Sequence, residues 1–592
     1  MTQADTHPLR IGQFSAYYGD RPDAMAELIA DGVDVLTGDY LAELTMLVLK
    51  KNQMRGGVGY ASGFVDQLVG NLDDIARLGI KVVTNAGGLD SLACAAEVER
   101  ACRERGLDLT VAAITGDDII GDVDRLLEEG QTFGHLTTGK PLELDDRTVL
   151  TANAYLGAWP IVEALESGAD IVICPRVTDA SLVIAPAAWH HGWSPSDYDQ
   201  IAGALWAGHA IECGGQVTGG NFSLFHRHGD LGLPGVPIAE VASNGDSVIT
   251  KTAGSGGLVD VDTVTAQLLY EVGGPRYDNP DVVGDLSSVL VSQDGPDRVL
   301  LSGARGYAPT AATKLSLCFE GGYRNSATVG ITGGHVEAKV AWLQREVAKA
   351  VGSPESFDQF RWSIIGPADS STGSFEDATA WVIATARDRR RERVSRAAFS
   401  DRITQLGVSS IPGFYTATPP QRERLVGIQW PCLVDKESVT ARVHVAGAEH
   451  MVEWGPVATN DSFTPAHDSQ APHVEVEDAD VVESELGAVI GTRSGDKGGM
   501  ANVGAWVHTD EQYRWLAGFL TVERIKELLP ETAGLDVERH LLPNLRGMNF
   551  LLHDYLEMGV ASCTRVDAQA KGVGEYLGSR VVSMPRGVLA GR

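Results

Sequence analysis

No G-x-G-x-x-G follows the first predicted strand of this sequence and no G-x-x-x-x-G-K-[ST] occurs anywhere in it, so neither dinucleotide nor P-loop phosphate binding organises the chain. Cysteine is scarce. The seven present among 592 residues are odd in number and form no C-x-x-C pair, which argues against a disulfide scaffold and suits free thiols in a reducing cytoplasm. Basic residues are outnumbered, with 48 Lys and Arg against 79 Asp and Glu, and a formal net charge of −31 argues against a nucleic-acid surface. The one basic run, RDRRRER at Arg387 to Arg393, carries its own Asp388 and Glu392 and reads as the solvated face of a helix. No apolar run approaches about eighteen residues, and the opening MTQADTHPLR lacks an apolar segment, so neither membrane spanning nor secretion is expected. The expectation is a cytoplasmic protein without nucleic-acid or membrane partners.

The 592 residues exceed what one hydrophobic core usually serves, so more than one domain is expected. Through the first part of the chain short β-rich runs alternate with helical patterns. Leu9 to Ser15, Val33 to Thr37, Ile80 to Thr84, Leu109 to Thr115 and Ile171 to Cys174 read as strands, and Asp23 to Asp31, Asp66 to Leu78, Leu92 to Arg105 and Trp159 to Ser167 as helices. That alternation predicts an α/β domain with a parallel sheet. From about Val248 to Gly455 strand pairs mix with helices, among them His335 to Ala350 and Phe375 to Arg387, as an α+β extension. Periodicity is lost from Pro456, and residues 456–483 have the composition of an acidic linker. Residues 484–592 then read as a small α+β domain, with strands at Leu486 to Thr492, Val503 to Val507 and Met548 to His553 and a helix at Val522 to Leu529.

In parallel sheets ligands collect beyond the carboxyl ends of the strands. The segments found there, SAYYGDRP, GDYLAE, NAGG, GDD and CPRVTD, line one rim with Asp20, Arg21, Asp39, Glu43, Asn85, Asp117, Asp118, Arg176 and Asp179. Any one of these could be a helix cap or turn residue. Repetition over five loops points instead to a site.

The best candidate for a reaction centre is Ala207 to Ser223, AGHAIECGGQVTGGNFS. On a helix running from Tyr198 to about Cys213, His209 and Glu212 share a face and can exchange a proton. The glycines that follow, Gly214 and Gly215 first, let backbone approach a ligand, with Gln216, Thr218 and Asn221 as hydrogen-bonding side chains. A buried helix end with a satisfied histidine is the plainer alternative. AGSGG at Ala253 to Gly257 could cradle a phosphate, but reads better as a loop. The acidic rim with His209 is compatible with a divalent metal, yet its spacing matches no dedicated metal motif and no cofactor is required. In the last domain RSGDKGG, Arg493 to Gly499, reads as a turn in which Arg493 and Lys497, oriented by Asp496, grip an anion.

GDYLAELTM, NAGGLD, ITGDD, CPRVTDASL, GHAIECGGQVTGGNF and GSGGLVDVDTVTAQLLYE, in this order, resemble the acyclic terpene utilisation family, whose opening glycine-rich S-G-x-x-G-D stands here as SAYYGD. RSGDKGGMANVG with PNLRGMNFLL and DAQAKG resembles the ferredoxin-like domain joined to that family. The resemblance implies breakdown of acyclic isoprenoids or other branched acids as coenzyme A thioesters. Within it, the residues suggest a lyase or hydratase acting on an acyl-CoA or the free acid, by hydration, dehydration or carbon–carbon cleavage. Such chemistry needs a base, an acid and donors to an enolate oxygen. His209 and Glu212 would be base and acid, N–H groups at Gly214 or Gly87 the oxyanion donors, Arg176 a carboxylate contact, and Arg493 and Lys497 contacts to the CoA phosphates. Cys213 is an alternative nucleophile. Two other readings stay open: a metal-dependent hydrolase using Asp39, Asp117 or Asp179 with His209, and a non-catalytic scaffold binding acyl-CoA or an acyl-CoA carboxylase. A homo-oligomer is expected.

Overall fold

The computed structural model describes residues 7–366, 373–466 and 481–590. Its centre is a parallel array of β1 (Leu9–Ser15), β2 (Val35–Gly38), β3 (Lys81–Thr84), β4 (Val111–Thr115) and β5 (Ile171–Ile173), lying in the order β1-β2-β3-β5-β4. Successive residues of these strands feed opposite cores. Val35, Val83, Ala112 and Val172 pack into one, whereas Leu36, Val82, Val111, Ala113 and Ile171 pack into the other. A sheet covered on both faces needs apolar side chains at nearly every position, which is why these strands read as unbroken apolar runs.

Antiparallel strands extend the sheet at both edges. Pro237–Val241, Ser247–Lys251, Arg298–Ser302 and Leu290–Gly295 continue it beyond β1, and Ala441–Val445 and Ala448–Val452 beyond β4. Much of the chain after position 248 thus completes the same sheet. The remainder is organised by β6 (Ala312–Thr332), which pairs with Arg424–Asp435, Thr379–Asp388 and, over its first half, Val149–Ala154.

Three expectations need correction here. Phe375 to Arg387 is not a helix: Thr379–Asp388 is a strand bonded to β6 on one side and Gln359–Ile365 on the other, and ladders on both edges decide a segment whose residues also suit a helix. The basic run leaves that strand and makes only a short helix, Arg391–Val394, while Asp388 is 0% exposed and takes the charges of Arg390 and Arg393. Asp66 to Leu78 divides into helices Ser62–Val69 and Leu72–Leu78, separated by Gly70 and Asn71.

Three helices position the site. α1 (Glu43–Met54) follows β2. α2 (Tyr198–Ile211) is buried along every face from Ile201 onward, so it is an interior helix rather than an amphipathic one. α3 (Val261–Leu268) starts at a capping box in which Asp260 accepts from the N–H of Thr263.

The C-terminal domain is an antiparallel sheet of β7 (Gly491–Lys497), β8 (Met500–Trp506), Gly547–Leu552 and Val537–Leu542, in that order, around its own core. Leu486 to Thr492 is not one strand: Leu486–Ala488 form a 3-10 turn between β7 and an earlier strand, Val481–Glu485, which pairs with Val581–Pro585. Arg493 to Lys497 are strand, not turn, and the reversal falls on Gly498 (φ 62°) and Gly499. This domain is bolted to the first. Asn502 and Asn549 both donate to the carbonyl of Val272, at 3.1 and 2.9 Å, and Trp506 Nε1 donates to Asp262 at 2.9 Å. On its far side Arg361 pairs with Glu557 at 2.7 Å.

Of the expected linker, residues 467–480 lie outside the described residues. Its first part is held against the body: Arg276 pairs with Asp461 at 2.7 Å, and the N–H of Ala466 donates to Asp285 at 2.9 Å. Among the described residues no helix is long and apolar enough to cross a membrane.

Candidate functional site

Asp39, Asn85, Asp117 and Arg176 each stand just beyond the carboxyl end of a parallel strand, and all four are buried. Asn85 ties two loops together: its amide donates to Asp39 Oδ1 at 2.6 Å and its carbonyl accepts from the Tyr40 N–H at 2.7 Å. Arg176 lies 4.1 Å from the Tyr155 ring, donates to the carbonyl of Leu41 at 2.7 Å and pairs with Asp179 at 3.1 Å. Burial disfavours its charge, but Asp179, Tyr155 and Asp39 outweigh that and hold it protonated. Burial pushes Asp39 well above the usual carboxylate range, the charge of Asp179 adding to the effect and Arg176 opposing it. Asp117 is pushed up to about 7 by burial, against hydrogen bonds from Asn153 and the Arg176 N–H.

A second wall comes from α1 and β6. Glu43 accepts from Lys314 at 2.9 Å, and Lys314 sits 4.8 Å from the Tyr155 ring. Burial would raise Glu43, but the Lys314 charge prevails and keeps it ionised; the same pairing raises Lys314 against burial.

α2 delivers the third wall. His209 Nδ1 lies 2.9 Å from Glu212 Oε1, as the spacing of three on a helix requires. The imidazole is 1% exposed, packed beside the rings of Trp206 and Tyr277, and its Nε2 has no hydrogen-bond partner. Burial lowers His209 to about 4 and raises Glu212, the latter reinforced by Asp179 and Glu271. The pair is therefore held uncharged, with the shared proton on the carboxyl. Gln13, from β1, donates to the Glu212 carbonyl at 3.3 Å and pins this helix end to the sheet.

The C-terminal domain supplies the last wall. On β7, Arg493, Gly495 and Lys497 alternate onto the face turned to the first domain. Gly495 must be glycine, because a Cβ there would come within 2.2 Å of the Tyr270 ring. Arg493 lies 4.4 Å from that ring and donates to the carbonyl of Asn221 at 3.1 Å, while its NH2 is buried without a partner. Lys497 donates to the carbonyl of Glu271 at 2.8 Å. Burial, together with the neighbouring charge of Lys314, lowers Lys497 to about 8. Asp496 is raised to about 6 by burial and by Glu271, and pairs with Lys571 at 3.6 Å.

These walls enclose a recess rather than a packed core. At its floor His209 and Arg176 keep 1% and 4% of their side-chain surface, whereas Asp179 and Lys314 keep 33% and 38% although protein desolvates the Lys314 ammonium. Arg176 Nε, His209 Nε2, Gln216 Oε1, Gln267 Oε1 and Arg493 NH2 are buried in its lining without a hydrogen-bond partner, an unusual concentration of unsatisfied polar atoms.

Most rim residues read from the sequence gather here, with exceptions. Thr218 spends its hydroxyl on the carbonyls of Gly235 and Gly215, at 2.7 and 3.1 Å, and Asn221 contributes its carbonyl to Arg493 while being exposed itself. The Gly87 N–H donates to the Cys174 carbonyl at 3.1 Å, so it is not an oxyanion donor; Gly87 is there because a Cβ would meet that carbonyl at 2.6 Å. Cys213 is held toward the thiol form: burial raises it, and the charges of Glu271 and Glu212 add to the effect. Asp20 caps its own loop, accepting from the N–H groups of Ala16 and Arg21; Arg21 is engaged with Asp23 and Glu27; and Asp118 accepts from the N–H of Ile120. The AGSGG segment is a loop: the Gly257 N–H donates to Leu231 and the Gly256 carbonyl accepts from Gly235.

Sequence reasoning missed Lys314, Tyr155, Glu271 and Tyr270. Glu271 and Tyr270 close the conspicuous LLYE segment, which was a usable signal, but Lys314 is one polar position on an alternating strand and nothing marks it. Among the described residues no group of His, Cys, Asp or Glu is arranged to hold a metal ion.

A family model described as "Acyclic terpene utilisation family protein AtuA" matches residues 9–445, and one described as "AtuA ferredoxin-like domain" matches residues 484–583. No curated protein and no solved structure matches the chain.

Proposed function

The chain belongs to the acyclic terpene utilisation AtuA family, and from that premise we propose that it is an enzyme acting by acid–base chemistry on a branched acyl-CoA or the corresponding acid. The observation that carries this reading is the recess itself, where uncharged His209 and Glu212, protonatable Asp39 and the weakly basic Lys497 surround unpartnered donors. Groups whose burial moves them toward neutrality can exchange protons at physiological pH, which ordinary surface carboxylates and lysines cannot. Glu212 is placed to give a proton and His209 to relay it. Arg176, ionised and with its Nε free, would receive the oxygen on which negative charge develops. Hydration, dehydration and carbon–carbon cleavage all need this set.

Arg493 and Lys497 lie inside the recess instead of on an outer surface, so in this reading they meet the acid portion of the substrate and not the CoA phosphates. The test is mass spectrometry of pooled saturated, unsaturated, 3-hydroxy and 3-oxo branched acyl-CoA esters and their free acids, incubated with the protein in heavy-oxygen water, with and without a chelator. A product from one of them, lost in both His209→Ala and Glu212→Ala with the fold intact, is the expected result. Turnover unchanged in both variants would overturn the assignment of the site.

A further inference from the structure

Two lysines reach this recess, and their surroundings differ. Lys314 is paired with the Glu43 carboxylate at 2.9 Å. Lys497 makes no ion pair among the described residues; its ammonium nitrogen contacts only the Glu271 main-chain carbonyl, at 2.8 Å. A carbonyl accepts one hydrogen and leaves the nitrogen lone pair free once the group is an amine. Burial favours that amine, and so does a second cation, Lys314, against the opposing charges of Glu271, Glu43 and Glu212; the balance lowers the ammonium to about 8. A desolvated lysine next to another cation is the arrangement that turns an ammonium into a nucleophile.

We propose that Lys497 captures the ketone carbonyl of an oxo acid as an imine, with Arg493 holding the acid's carboxylate. This rests on the acid–base reading of the same site and narrows its substrate to a carbonyl compound. Arg493 and Lys497 project from the same face of β7, with Gly495 between them. The guanidinium carries an unpartnered NH2 at 7% residue exposure, which suits a carboxylate and nothing else in the lining supplies one to it. The amine attacks the ketone carbon to give a carbinolamine. Glu212 supplies a proton to its hydroxyl, which leaves as water while the nitrogen lone pair forms the C=N bond. The protonated imine then accepts the electron pair of a bond at the neighbouring carbon, giving an enamine. A carbon–hydrogen bond gives its proton to the Glu212 carboxylate left by the preceding step. A carbon–carbon bond to a hydroxyl-bearing carbon releases that carbon as an aldehyde or ketone as its hydroxyl proton passes to the same carboxylate. Reprotonation and hydrolysis by water return the ketone product and the free amine. No oxidant or reductant is consumed.

The experiment is borohydride trapping on the full-length protein with levulinate as the carboxylate-bearing ketone and butanone as the neutral control. The expected result is a covalent adduct equal to levulinate less one oxygen on the peptide containing Lys497, absent in Lys497→Arg. With Arg493→Gln, the excess of levulinate over butanone labelling is lost. Circular dichroism on each variant separates lost chemistry from lost fold, and Lys497→Gln serves if Lys497→Arg does not fold. No adduct on Lys497 in the folded wild type, or equal labelling in Lys497→Arg, overturns the imine. That outcome leaves the His209 and Glu212 test untouched, so the two readings fail separately.

Discussion

The two sides of the recess handle buried charge in opposite ways. On the side made by α1, β6 and the loop after β5, charges come in compensated pairs: Glu43 with Lys314, Arg176 with Asp179. On the side made by the end of α2 and by β7, groups are displaced toward neutrality: His209 lowered, Glu212 raised, Lys497 lowered. Buried pairs gain little stability relative to apolar packing. Their use here is as a fixed field that sets the proton affinities of the groups facing them.

The largest effect should come from the displaced side. Glu212→Gln keeps the volume and a hydrogen-bonding partner for His209 but cannot give up a proton, and turnover should fall about 100-fold or more, the usual scale for loss of a general acid. Single-turnover kinetics measure it; a loss below tenfold would show that this side is merely structural. Next, Lys314→Met strands the Glu43 carboxylate. The cost should be about 1–3 kcal/mol of stability by urea denaturation, less than for a fully buried pair because Lys314 keeps 38% of its side-chain surface. The same substitution sharpens the comparison, since it removes a charge that lowers Lys497. If Lys497 must be neutral to act, kcat/KM rises with pH to a midpoint near 8 in the wild type, and that midpoint moves upward in Lys314→Met. An unmoved midpoint would disconnect the two sides.

A further prediction concerns stability alone, at Asp117. Its pKa in the folded protein is raised to about 7 from 3.8, so the native state binds the extra proton between these values. The associated stability is complete below about pH 3.8 and is lost as pH rises through 7. Asp117→Asn should flatten that decline in urea midpoints measured across the same range.

Much of the α/β architecture was legible because strands covered on both faces advertise themselves: Leu9 to Ser15 was read to the residue, and the polar loops after the strands marked the rim. What failed did so for physical reasons. Thr379–Asp388 is apolar at both helical and strand spacing, and its partners lie elsewhere in the chain, so no local pattern separates the two. Arg493 to Lys497 looked like a turn because glycine permits turns; here Gly495 is a strand residue whose missing Cβ admits the Tyr270 ring. For Lys314, position follows from pairing between β6 and Val149–Ala154, a long-range fact that the sequence around it does not carry.

The Val272 carbonyl accepts from Asn502 and Asn549, on adjacent strands of the C-terminal sheet. A carbonyl has two lone pairs, and both are engaged. The joint between the domains is thus keyed like a lock pin: sliding the sheet past the first domain by one residue would break both bonds at once and draw Lys497 away from the Glu271 carbonyl. Added length between residues 467 and 480 should leave the recess assembled, whereas one residue inserted between Lys497 and Asn502 would withdraw the lysine while each domain kept its own core.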